Sequence, residues 1–125
     1  MEAPRLLLVE DDVRLRDILA RSLRDGGYLV EVATSSTAAF DLASTLRFDG
    51  LVTDARMPGI TGPELIRALR RQQPDLPCLL LSGDGDFGAQ ALPEDVLTLG
   101  KPFKPDVLLQ LVQELIGPGQ RRSGP

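Results

Sequence analysis

The sequence predicts a doubly wound α/β sandwich built on a five-stranded parallel sheet. Short apolar runs and amphipathic stretches alternate in regular order along its 125 residues. Several of the runs are apolar at consecutive positions, as strands covered on both faces require. Polar, chemistry-bearing residues close those runs, and in an open parallel sheet the carboxyl ends of the strands share one edge, where ligands bind.

Arg5 to Val9 is the first such run. Val13, Leu15, Ile18, Leu19 and Leu23 then recur at helical spacing until Gly26-Gly27 stops the helix. Tyr28 to Ala33 reads as the second strand. Ser35 or Ser36 caps the second helix, whose inner face carries Ala39, Phe40, Ala43 and Leu46. Leu51 to Thr53 is the third strand, ended by Asp54. A turn-rich loop, Met57 to Gly62, leads to Pro63 at the first position of a third helix with Leu65, Ile66 and Leu69 inside.

Cys78 to Leu81 is the fourth strand, ending at Ser82. Gly83, Gly85 and Gly88 precede a short Ala89 to Leu92 stretch that Pro93 cuts off, so the fourth helical link is shortened. Val96 to Leu99 forms the fifth strand. Pro105 opens a last helix with Leu108, Leu111, Val112 and Leu115 inside and Gly117 as its stop. Residues 1–117 make one domain; residues 118–125 read as a disordered tail or the start of a linker.

A chain of this length buries well over half of its unfolded surface, and a hydrophobic fraction of 42% excludes a disordered class. The net charge is -4, and the twelve arginines are dispersed, so no basic stripe for nucleic acid exists. No apolar run reaches a membrane span, and no signal-peptide pattern opens the chain; the expected compartment is the cytoplasm. Cys78 stands alone inside an apolar run and reads as a small core residue, not a disulfide partner. Histidine is absent, which excludes a histidine base, a histidine ligand and a phosphohistidine on this chain. A phosphoryl group handled here comes from elsewhere.

Glu10-Asp11-Asp12, Asp54, Ser82 and Lys101-Pro102 each close or directly follow a strand run. Together they offer carboxylates, a hydroxyl and an ammonium, the groups that hold a divalent cation and a phosphoryl group. Magnesium takes hard oxygens and keeps several waters, so Asp11 and Asp54 suffice as ligands, with Glu10 or Asp12 on bound water. The plainer reading makes Asp12 the cap of the first helix, with Glu10 and Asp11 near its positive end. A cap explains one acidic residue; a cation offsets the mutual repulsion of all three.

Asp54 has three open roles: ligand, cap, or nucleophile forming an acyl phosphate. Phosphoryl transfer needs positioning and charge neutralisation, and Lys101, one of two lysines, brings a mobile point charge to a strand end. Its bland alternative is a solvated surface lysine. Ser82 is either a hydroxyl donor to a phosphoryl oxygen or a turn-forming serine before Gly83.

Leu7-Leu8-Val9-Glu10-Asp11-Asp12, the segment Thr53 to Gly62, Leu81-Ser82-Gly83 and Lys101-Pro102-Phe103, in that order, resemble the receiver domain of two-component response regulators. The resemblance spans residues 5–116. It implies a flavodoxin-like sheet of order 2-1-3-4-5 and phosphorylation of Asp54 by a partner histidine kinase or histidine phosphotransfer protein in a phosphorelay. It implies that Glu10, Asp11, Asp54 and the Arg56 carbonyl surround Mg2+, that Ser82 and Lys101 hold the phosphoryl group, and that Lys101-Pro102 is cis. A domain of this kind is a signalling phosphoprotein with slow self-dephosphorylation, not an enzyme acting on a separate substrate.

Two features depart from the family pattern. Thr98 stands where many receivers carry an aromatic switch residue, and the Ser82 to Lys101 segment is about one helical turn short. The shortened segment resembles receivers attached to hybrid histidine kinases. It also predicts a monomer whose Gly83 to Leu92 loop takes up the change on phosphorylation. Two other functions compete. A magnesium phosphatase of the haloacid-dehalogenase-like kind needs a second Asp where this chain has Arg56. A docking domain that works without phosphorylation has no need of the intact set of site residues.

Overall fold

The computed structural model describes residues 3–83 and 92–119. Among them are five strands, β1 (Arg5–Val9), β2 (Leu29–Ala33), β3 (Gly50–Asp54), β4 (Cys78–Ser82) and β5 (Leu97–Gly100). They alternate with four helices: α1 (Val13–Asp25), α2 (Ser36–Thr45), α3 (Gly62–Gln72) and α4 (Pro105–Ile116). All neighbouring strands pair in parallel, in the order β2-β1-β3-β4-β5. The fold is the five-stranded, flavodoxin-like doubly wound sheet that the sequence predicts. The expected shortened fourth helix falls largely on residues 84–91, outside the described residues.

The sheet divides the core in two. On one side Leu7, Val9, Leu51, Cys78 and Leu80 pack with Ala39 of α2 and Leu65, Ile66 and Leu69 of α3. On the other, Leu6, Leu8, Val52, Leu79 and Leu81 meet Leu19 and Leu23 of α1 and Leu108 and Val112 of α4. The period of two in a strand sends successive residues of one apolar run to opposite layers, so β1, β3 and β4 must be apolar throughout. Cys78 is a buried core residue; burial pushes its thiol up to about 11.

Each helix starts on a device visible in the sequence. Asp12 caps α1, accepting from the Arg14 and Leu15 amides at 3.0 and 3.2 Å. Ser35, not Ser36, caps α2 through the Ala38 amide. Thr61 and Glu64 form a reciprocal capping box on α3, which starts the helix at Gly62 and makes Pro63 its second residue, not its first as the sequence predicts. Pro105 opens α4, and Gly117, at φ 90°, ends it.

Several element ends and one helix face differ from the sequence reading; β3 starts one residue early at Gly50 and takes in Asp54, and β4 takes in Ser82. The Tyr28 amide donates to Leu23 O and not to the ladder, so β2 begins one residue later. The Val96 amide closes a turn onto Pro93 O, which shifts β5 by one residue, to Leu97–Gly100. Val13 and Ile18 of α1 are 56% and 53% exposed. Leu19 and Leu23 define the buried stripe, and Ile18 lies roughly 100° round the helix from Leu19. After α4 the chain is held by Tyr28, whose hydroxyl donates to Gly117 O at 2.6 Å. Residues 120–125, most of the expected tail, lie outside the described residues.

Candidate functional site

Four strands deliver the site at their carboxyl ends. Glu10 follows β1, Asp54 is the last residue of β3, Ser82 the last of β4, and Lys101 follows β5. The ladders hold these ends in register: Glu10 N–H donates to Ala33 O at 3.1 Å, and Lys101 N–H donates to Ser82 O at 2.6 Å. The Lys101-Pro102 peptide bond is cis.

Carboxylate oxygens of Glu10, Asp11 and Asp54 lie within 4.8 Å of one another. Glu10 and Asp54 are buried and Asp11 is exposed. One ammonium serves both buried carboxylates: Lys101 Nζ is 3.1 Å from Glu10 Oε1 and 3.1 Å from Asp54 Oδ1. Glu10 Oε2 also accepts from the Asp12 amide at 3.2 Å. Burial pushes the Glu10 carboxyl up to about 7; the Asp54 charge adds to this, while the Asp12 amide and Lys101 work against it. For Lys101, burial pulls the ammonium down, but hydrogen bonds and charges from Asp54 and Glu10 outweigh it, and the net direction is up.

Three hard oxygen donors, two of them sheltered and all converging, fit a small divalent cation that completes its shell with water. Asp12 is turned to the start of α1 and is not one of the three. Ser82 is half-buried at the end of β4, next to the strand that leads into Lys101. Arg56 lies two residues beyond Asp54 and is exposed.

Two features have no counterpart in the sequence reading. The first is the double ion pair of Lys101, since no single sequence says that a strand-end lysine lies midway between two carboxylates. The second is Gly62. Its amide donates to Ala55 O at 2.8 Å, and a Cβ there would collide with Asp54 O and lie 2.6 Å from Leu80 Cδ1. The start of α3 is thereby seated directly against the end of β3. Gly62 reads in the sequence only as part of a turn, because backbone-to-backbone contact leaves no side-chain pattern.

The described geometry agrees with what the chain matches. The family model "Response regulator receiver domain" covers residues 6–113. Response regulator MprA of Mycobacterium sp. (strain KMS) is 37% identical over 126 residues, 97% of this chain and 52% of the relative. Response regulator protein FleR of Pseudomonas aeruginosa is 35% identical over 129 residues, 98% of this chain and 27% of the relative. The chain thus spans about half or less of the length of these relatives. Chemotaxis response regulator CheY4 of Vibrio cholerae superposes with a TM-score of 0.77 at 30% identity, covering 90% of this chain and 98% of that one. Response regulator TrrA of Thermotoga maritima, solved in complex with Mg(2+)-BeF, gives 0.80 at 26% identity, covering 92% and 99%. With the strand order, the clustered strand-end acids and a family match over most of its length in agreement, this chain belongs to the response regulator receiver domains.

Proposed function

We propose that Asp54 is the phosphoryl acceptor of this receiver domain, and that Glu10, Asp11, Asp54 and the Arg56 carbonyl hold Mg2+ beside it. One observation carries the reading. The buried Asp54 carboxylate belongs both to the three-acid cluster and to the Lys101 ion pair, so a cation held by the cluster would meet the ammonium at the same group.

In the proposed reaction an Asp54 oxygen attacks the phosphorus of a partner's phosphohistidine. The new O–P bond forms as the P–N bond breaks, and the electron pair returns to the imidazole, which takes up a proton. Mg2+, when bound, supplies charge neutralisation for the phosphoryl oxygens. Lys101 contributes the second positive charge, and its flexible stem lets the ammonium follow the new oxygens. The Ser82 hydroxyl donates to one of them. Burial of Asp54 limits water access, and slow hydrolysis of its acyl phosphate returns the free carboxylate. The donor is a histidine kinase or a histidine phosphotransfer protein, the setting is the cytoplasm, and the domain acts as a monomer. Among the described residues no helix is long and apolar enough to cross a membrane.

The test is acetyl phosphate with Mg2+, read by intact-protein mass spectrometry. The parent should gain one phosphoryl group, and Asp54→Asn should gain none. Equal labelling of the variant would remove Asp54 from this role.

A further inference from the structure

The two ends of a five-stranded open sheet are edges, and an unpaired edge is a template for another strand. β2 forms one of them, bonded, among the described residues, only to β1. The ladder fixes which of its residues face outward. Leu29 N–H donates to Pro4 O and Ala33 O accepts from Glu10 N–H, so Leu29, Glu31 and Ala33 direct their backbone groups to β1. Val30 and Val32 direct theirs to the open side. Two side chains here are exposed and apolar, Leu29 at 45% and Val32 at 36%. With β-branched residues at the outward positions, this edge has the composition of a pairing strand.

Two charges oppose that use. Arg24, in the last turn of α1, donates from Nη2 to Val30 O at 2.8 Å and so occupies an outward carbonyl. Glu31 lies midway between the outward residues. In the antiparallel register that uses both of them, Val30 faces the second copy's Val32, and Glu31 faces the second copy's Glu31 across a non-hydrogen-bonded pair. That is where side chains approach most closely and like charges repel.

We propose that Arg24 and Glu31 together keep the β2 edge from pairing with the β2 edge of a second copy of this chain. Arg24 withholds an acceptor that the intermolecular ladder needs. Glu31 makes the two-fold arrangement self-repelling. This role is independent of phosphorylation, since neither residue touches Glu10, Asp11, Asp54 or Lys101 through any bond described above.

The test is the variant R24A/E31T, which frees the carbonyl and places a strand-favouring neutral residue at the two-fold centre. Sedimentation should show self-association tightened by about tenfold or more over the parent, and the Val30 and Val32 amides should become protected from exchange at high concentration. Adding V32P removes an outward N–H without touching the bonds to β1, and should return the protein to the parent's behaviour. Association unchanged in R24A/E31T, or a dimer that V32P does not weaken, would overturn the proposal. If the double variant does not fold, R24A and E31T taken singly should each shift association in the same direction by a smaller factor. No shift in either would overturn it equally.

Discussion

Replacing Glu10 by Gln should remove a pH dependence of stability that this fold carries because of one buried carboxyl. Glu10 has no exposed surface, and its carboxyl is raised from 4.5 to about 7, chiefly by burial. The unfolded chain releases that proton near 4.5 and the folded chain near 7. Between these values the unfolded state binds fewer protons than the folded one, so stability falls as pH rises. Each pH unit in the window withdraws up to ~1.4 kcal/mol, and the full window at most roughly 3–4 kcal/mol. For a domain of this size that is roughly 10 °C of Tm.

The assay is urea unfolding of metal-free parent and Glu10→Gln at steps from pH 4.5 to 8. The difference between the two curves isolates this group from every other titration. The parent should lose stability against the variant as pH climbs through the window, and the difference should level off above about pH 8. Saturating Mg2+ should restore the parent at pH 8, since a cation favours the ionised carboxylate. Parallel stability profiles across the window, without metal, would refute the assignment of burial as the cause.

Asp11→Ala should weaken Mg2+ binding by about tenfold or more while changing stability by no more than about 0.5 kcal/mol, because the residue is exposed; isothermal titration calorimetry and thermal melts check both halves. Lys101→Ala should drive the Glu10 titration above about 7, since Lys101 holds it down, with the shift visible in the carboxyl resonance by NMR. Gly62→Ala should destabilise the fold by about 1–3 kcal/mol through overpacking against Asp54 O and Leu80, and slow labelling by acetyl phosphate, because the end of β3 must give way.

The sequence is most legible where one physical rule acts alone. The run Leu6 to Val9 must be apolar on both faces, and Asp12 and Pro105 announce helix starts through a local hydrogen bond and a fixed φ. The candidate site is legible for a related reason: a polar residue closing a buried strand has few structural explanations, and four such ends converge by topology. Less legible was everything set by contacts across the sheet. Glu31 and Leu29 look like ordinary strand residues until the ladder shows which residues of this edge strand face outward. Arg70 is one more helical arginine in the sequence, yet it donates to Leu76 O at 3.0 and 2.8 Å and pairs with both Asp95 oxygens, tying α3 to the approaches of β4 and β5. Ile18 matched a helical period, but a period fixes a face only to within the width of the stripe.

The site also explains why the surrounding sheet is so uniformly apolar. Glu10, Asp11 and Asp54 repel one another, and burial makes the charged state of Glu10 costly, so the strand ends oppose folding at neutral pH. That cost persists only if the rest of the sheet more than offsets it. Leu6, Leu8, Leu51, Leu79, Leu80 and Leu81 are all fully buried within a few residues of the site, each contributing about 1.5–3 kcal/mol from burial. Lys101 relieves part of the repulsion with one charge against two buried carboxylates, which leaves the cluster electronegative and receptive to a cation. A second lysine in the cluster would stabilise the fold further and abolish that receptivity. The destabilised carboxylates are therefore the part of the domain that makes its proposed switch responsive, and the leucine-rich strands are what allow it to remain folded while it waits.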